Sequence, residues 1–183
     1  EEWNHAMSFK LDQASQVRLI PDWGGPDDLS AAAYAKWDED YLYLAVRVTD
    51  NEHFNAYLPG DLWKGDSVQF TIDPGRAAEP GSLGWSENNI ALHSETNAVM
   101  KTGGYGGNDL SGSLIRIQRD GTNTVYEMAI KWTDILPAGM EPVSGTDLGF
   151  SFLVNDNDGS LRRGWMEYMS GIGLSKDPTL YGD

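Results

Sequence analysis

An antiparallel β-sandwich of two sheets, jelly-roll or immunoglobulin-like, is the fold class this sequence predicts. Three observations lead there. Most segments are short and alternate apolar with polar residues, as half-buried strands do. Helix breakers punctuate them, with 21 Gly and 8 Pro in 183 residues. No segment sustains the 3.6-residue period of a helix, and short strands with turn signals between them stack as sandwiches.

The elements follow in chain order. Leu29 to Ala35 is expected to hold one helical turn. Tyr41 to Val48 is rich in strand formers. Ser67 to Ile72 alternates with period two and puts Val68, Phe70 and Ile72 on one face. Ile90 to His93 is a weaker strand. The segments 112–118 and 125–132 flank Asp120-Gly121, a hairpin signal. Trp132 to Leu136 is expected to hold a second helical turn. The segments 148–154 and 163–168 flank Asn157-Asp158-Gly159, a second hairpin. Trp37, Trp132, Tyr43, Phe70, Phe150 and Phe152 sit in or beside these patterns and read as core. No repeat or linker divides the chain, so residues 1–183 read as a single module.

Charge narrows the partners. Lys+Arg is 13 against 28 Asp+Glu, a net charge of −15. Nucleic acid needs a cationic face, so it is excluded as a partner. An anionic membrane surface is disfavoured for the same reason, and no apolar run approaches the ~20 residues of a span. Apolar residues make up 40% of the chain, including 7 Trp, which is too much for a disordered segment. Cysteine is absent, which rules out thiol catalysis, iron–sulfur clusters and disulfides. The chain starts at Glu1 without an apolar leader and reads as a mature or excised segment.

Catalytic signatures are lacking. There is no nucleophile elbow, and His5, His53 and His93 form no zinc-binding pattern. Paired carboxylates can be nominated anywhere in a chain with 28 acids, so they point to no glycosidase. The expectation is a protein that is not an enzyme. Gly103 to Gly107 follows no strand–helix fingerprint and is not read as a phosphate cradle.

Several strings, taken together and in order, resemble the carbohydrate-binding modules of family 9 and their relatives. They are Trp37-Asp38-Glu39-Asp40-Tyr41-Leu42-Tyr43-Leu44, the run from Leu62 to Asp73, Tyr126 to Trp132, Gly149-Phe150-Ser151 through Val154-Asn155-Asp156, and Lys176-Asp177-Pro178. The resemblance covers roughly residues 20 to 182, nearly the whole chain. The resemblance implies a non-catalytic β-sandwich with structural calcium that binds a polysaccharide or oligosaccharide. It also implies a monomeric module tethered to a secreted polysaccharide-degrading enzyme, outside the cell or on its surface. Two alternatives stand beside it. One is a structural spacer of a cell-surface enzyme with a lost or different ligand site. The other is a haem-binding relative, with His93 and Met100 as imaginable axial ligands.

The family clamps its sugar between two Trp side chains. Trp63 matches the first, while the second falls at Ser175, beside Leu174. The Arg and Asn of the family site align with Ala91 and His93. The clamp is therefore altered here.

A sugar ring needs a flat aromatic for its C–H face and fixed polar groups for its hydroxyls. Trp63 stands at a loop-to-strand junction beside Lys64 and Asp66, and could stack on a ligand or lid the core. Trp85 and Tyr105 are loop aromatics that could supply a second platform. His93, on the same strand side as Ala91, is a candidate floor residue. Arg163 beside Trp165 could bond hydroxyls or a sugar carboxylate, although Trp165 could equally be core and Arg162 a surface counter-charge. Lys176 is a further polar candidate.

The acids divide into 18 Asp and 10 Glu. Asp suits turns and hard-cation shells. Asn155-Asp156-Asn157-Asp158-Gly159 resembles the start of a calcium loop, but Met166 occupies the twelfth position, where a helix–loop–helix site has Glu. Calcium held by Asn155, Asp156 and Asp158 in a hairpin and a plain Asx-rich turn both remain open. Asp50 and Asp66, at strand ends, are further candidate ligands.

Overall fold

A computed structural model describes residues 2–58, 60–79, 86–93, 96–102, 110 and 112–182, with backbone alone for 86–90, 93 and 96–102. Its strands are β1 (Met7–Leu11), β2 (Val17–Arg18), β3 (Leu29–Trp37), β4 (Tyr41–Asp50), β5 (Ser67–Pro74) and β6 (Ser86–His93). They continue with β7 (Thr96–Thr102), β8 (Leu114–Asp120), β9 (Asn123–Lys131), β10 (Leu148–Asp156) and β11 (Gly164–Glu167). Helix α1 (Trp132–Ile135) is one turn long.

The strands form two antiparallel sheets, ordered β1-β3-β4-β9-β8 and β2-β11-β10-β5-β6-β7. Alternation fills the space between them. Leu42, Leu44, Val46 and Val48 of β4 and Tyr126, Met128 and Ile130 of β9 meet Val68, Phe70 and Ile72 of β5 and Phe152 and Val154 of β10, all buried. Both sequence-read hairpins form. Asp120 pairs with Asn123 across a turn in which Gly121 adopts φ +57°, and Asp156 pairs with Gly164 across the Asn157–Gly159 loop.

Two expectations are corrected. Leu29 to Ala35 is strand β3, not a helical turn. Alanine's helix preference loses to the ladders that β1 and β4 offer on either side. Small side chains at Ala31, Ala33 and Ala35 also admit the larger Phe9, whose ring meets Tyr168 at 5.0 Å between centroids. Trp37 is not core. It has the inward parity, but β3 ends there, and the ring is 45% exposed beside a 330 Å³ cavity shared with Trp132 and Met7. Tyr43 likewise faces outward, where its hydroxyl donates to Asp38.

The outer face of the second sheet is covered as well. Every residue of β5 is buried, including the polar Ser67, Gln69, Thr71 and Asp73 that alternate away from the core. The C-terminal segment covers part of this face, where the Thr71 hydroxyl donates to Tyr181 Oη at 3.4 Å. Gly182 bridges to Phe150, and Ile172 and Tyr181 pack with Leu153 and Trp165 in a second apolar cluster.

Candidate functional site

Trp63 sits in a 3-10 turn, Leu62–Lys64, that leads into β5. Burial and hydrogen bonds immobilise the turn. Leu62 is fully buried. Asn55 Nδ2 donates to the carbonyls of Leu62 (2.9 Å) and Asp66 (3.1 Å), and Asn157 Nδ2 donates to that of Lys64 (2.7 Å). Gly65 is required behind it, since a Cβ there would lie 2.6 Å from Asn55 Cγ and 2.7 Å from the Phe54 carbonyl. The indole itself is half-buried, so it neither stands fully in solvent nor disappears into the core.

Two cations approach its ring. Arg162 Cζ lies 5.3 Å from the centroid and Lys64 Nζ 5.5 Å. Lys64 also pairs with the exposed Asp61 at 2.9 Å. Arg162 is the fixed one. Its guanidinium packs 4.2 Å from the Trp165 centroid, and Nε and Nη2 donate to Asn155 Oδ1 at 3.0 and 2.5 Å. Asn155 in turn donates to Ser67 Oγ (2.8 Å) and Gln69 Oε1 (3.0 Å). These residues form a polar network on the outer face of the second sheet, running from Gln69 to Trp63.

The predicted ligand-binding residues distribute unevenly around this network. Trp165 is 1% exposed and belongs to the interior, so it offers no face for stacking and serves as the bed for Arg162. Arg163 is directed elsewhere, into the acidic cluster described below. Successive strand-flanking residues point to opposite sides, and it is Arg162 that comes to Trp63. Lys176 donates to the Ile172 carbonyl at 2.9 Å, within the C-terminal loop that packs over Trp165. His93 lies on β6, where alternation gives positions 89, 91 and 93 the same face as Gln69, which pairs with Asn89. Its side chain, Trp85 and Tyr105 lie outside the described residues. Reading the sequence missed Gln69 and Arg162. Polar residues on an alternating strand look like a solvent face until a covering segment buries them.

A second constellation lies on the other side of β10. Single ligand atoms of Asp50, Asp156 and Asp158 fall within 4.8 Å of one another, as do those of Asp50, His53 and Asp66. Asp50 is common to both groups, so Asp66 in one and Asp156 and Asp158 in the other approach it from segments more than a hundred residues apart at the extreme. Asn155 does not join them. It alternates to the outer face, and Arg162 occupies its oxygen.

The acids there are under strain as bare carboxylates. Burial, with neighbouring carboxylates behind it, pushes Asp66 up to about 9 and Asp50 and Asp156 to about 7. Asp66 accepts from the backbone N–H groups of Phe54 (2.5 Å) and Asn157 (2.8 Å), and Asp50 from that of Glu52 (3.0 Å). Arg163 reaches Asp22 at 2.5 Å, Asp156 at 3.7 Å and Asp158 more closely, while Arg119 approaches Asp50 at 4.0 Å. Even so, Asp156 Oδ2 and Asp158 Oδ1 are buried without a hydrogen bond. Orphaned anionic oxygens in an all-oxygen carboxylate set fit a hard divalent cation such as calcium.

Asn157 links the two constellations. Its N–H donates to Asp66 and its amide holds the Lys64 carbonyl.

A rigid sandwich presenting a half-open indole beside a buried polar network is the form of a ligand-binding module. The chain belongs to the carbohydrate family 9 binding domain-like family, whose model matches residues 1–183. It is a non-catalytic carbohydrate-binding module. Two solved structures of a family 9 carbohydrate-binding module from Caldicellulosiruptor kristjanssonii share the fold. The one in complex with cellotriose is 18% identical with a TM-score of 0.73, covering 100% of this chain and 83% of that one. The one in complex with glucose is 18% identical with a TM-score of 0.72, covering 100% and 84%. No curated protein matches the chain.

Proposed function

We propose that the module holds its saccharide against the Trp63 indole, with polar contacts from the network around Arg162 and Asn155. The observation that supports this most directly is the half-buried ring on a turn pinned by Asn55 and Asn157. Such a platform is ordered before the ligand arrives, so stacking costs little further entropy. The relatives of like fold hold cellotriose and glucose, which makes gluco-configured sugars the first ligands to try. Calcium at Asp50, Asp66, Asp156 and Asp158 has a structural role in this reading. It neutralises the cluster next to the Trp63 turn. The module works outside the cell or on its surface, as a monomeric appendage of a polysaccharide-degrading enzyme.

Affinity electrophoresis of the wild type and of Trp63→Ala against a polysaccharide panel tests the site. Binding by the wild type and its loss in the folded variant are expected. Undiminished binding by Trp63→Ala would remove the site assignment.

A further inference from the structure

We propose that the saccharide taken by this module is acidic, and that Arg162 selects it by binding a uronate carboxylate beside Trp63. The proposal rests on Trp63 being the sugar platform and adds the class of sugar.

The two adjacent arginines make the case by contrast. Arg163 is surrounded by carboxylates, those of Asp22, Asp156 and Asp158. Arg162, in a chain of net charge −15, has no carboxylate within 4.0 Å among the described residues. Its hydrogen-bond acceptor is the neutral amide oxygen of Asn155, which takes both Nε and Nη2. Asn155 cannot turn away, because its own N–H groups are committed to Ser67 and Gln69. Glu167 acts on Arg162 only from a distance, and its oxygens are engaged by the Trp165 indole N–H and the backbone N–H groups of Ile172 and Gly173.

Arg162 Nη1 is left without a hydrogen-bond partner among the described residues. The guanidinium thus shows the edge that binds carboxylates in fork geometry. It is also partly buried, so its charge has lost water without gaining a counter-ion. A uronate would supply that counter-ion. Its C–H face would lie on the indole, while the carboxylate, equatorial at the ring's edge, would reach toward Arg162. Lys64, the other cation at the same ring, reinforces the sign. The overall negative charge opposes this only weakly, since physiological salt screens surface charges beyond about 8 Å.

The test uses uronic-acid oligosaccharides of several linkages, each in native form and after carboxyl reduction, with calorimetry on the wild type, Trp63→Ala and Arg162→Gln. The wild type should bind at least one native uronate about tenfold more tightly than its reduced form, as a charge-assisted bond implies. In Arg162→Gln the ratio should collapse toward one, and Arg162→Lys should recover part of it. If Arg162→Gln does not fold, Asn155→Asp, which sets a carboxylate against the guanidinium, should abolish the preference instead. Equal or better binding of neutral sugars, or a preference that survives Arg162→Gln, would overturn the proposal while leaving the Trp63 site intact. Binding of sulfated dextran without any uronate would overturn the choice of carboxylate. A wild type that binds no saccharide would sink the site reading and this proposal with it.

Discussion

The Arg162 guanidinium lies over the buried Trp165, 4.2 Å from the ring centroid, and hangs on the side-chain oxygen of Asn155. A cation is thereby carried across the outer face of a sheet to lie over the ring of another indole, Trp63, 5.3 Å from its centroid. Trp165 contributes by being buried. Its fixed ring gives Arg162 a surface to lie on, and one amide sets the angle.

Asn155→Ala should therefore be costly. It strands the donors of Arg162 and the acceptors of Ser67 and Gln69 in a place where water is excluded. A loss of about 1–3 kcal/mol is expected from orphaned buried polar groups. Urea denaturation reads it, and saccharide affinity should fall in the same variant as Arg162 loosens. A fully stable variant with intact binding would show that the network does not organise the site.

The C-terminal cover is tested by Gly173→Ala. A Cβ at this position would fall 2.2 Å from Trp165 Nε1 and 2.3 Å from Cε2. The indole is rigid and fully enclosed, so it cannot swing aside. The loop must lift instead, which breaks the bonds from the Ile172 and Gly173 N–H groups to Glu167. Overpacking of this kind costs about 1–3 kcal/mol. A lowered melting temperature is expected, and an unchanged one would mean that the loop does not clasp Trp165.

Much of this molecule was legible in advance where physics is local. Alternation placed Val68, Phe70 and Ile72 in the core, and Asp120-Gly121 placed a hairpin. The turn context of Trp63 left open whether its ring stacks on a ligand or lids the core, and the ring is half-buried. Asp50 and Asp66 were nominated from strand ends, and Asp156 and Asp158 with Asn155 from one loop; the fold sets the four aspartates in two groups that share Asp50 and leaves Asn155 out. What escaped depends on register and on cover. Asn155 and Asp156 are neighbours assigned to opposite faces of β10, so they serve different constellations. Arg162 and Arg163 divide in the same way. Gln69 looks solvated on its own strand, yet it is buried and accepts from Asn155 of the neighbouring strand.

Trp37 and Trp132 offer a paired test of the corrected core. Trp132 is 4% exposed and its indole N–H donates to the Asp38 carbonyl at 2.9 Å. Trp132→Ala should cost about 3–5 kcal/mol, the usual price of emptying an aromatic site. Trp37→Ala removes a ring already half in solvent and should cost under about 1 kcal/mol. Thermal or chemical denaturation decides. Equal losses would place Trp37 in the core after all.

The acidic cluster gives stability a particular dependence on pH. Asp50, Asp66 and Asp156 titrate in the fold at about 7, 9 and 7, above the ordinary value of 3.8, chiefly because burial disfavours their charged forms. The folded chain therefore binds protons that the unfolded chain has released. Without a cation, stability is greatest near or below about pH 4 as far as these groups are concerned, and is lost as pH rises toward about 9. Calcium reverses the trend, because it binds the deprotonated oxygens and is displaced by protons. Melting temperatures of the chelator-treated module should fall between about pH 5 and about pH 8, and the increment from added calcium should grow over the same interval. The effect should reach the ligand. Asn157 joins Asp66 to the Lys64 carbonyl, so chelation at pH 8 should weaken binding of whichever saccharide the wild type takes, and calcium should restore it. A calcium increment that is constant with pH would mean that these carboxylates are not the ligands. Sugar binding indifferent to chelation would mean that the cluster does not support the Trp63 turn.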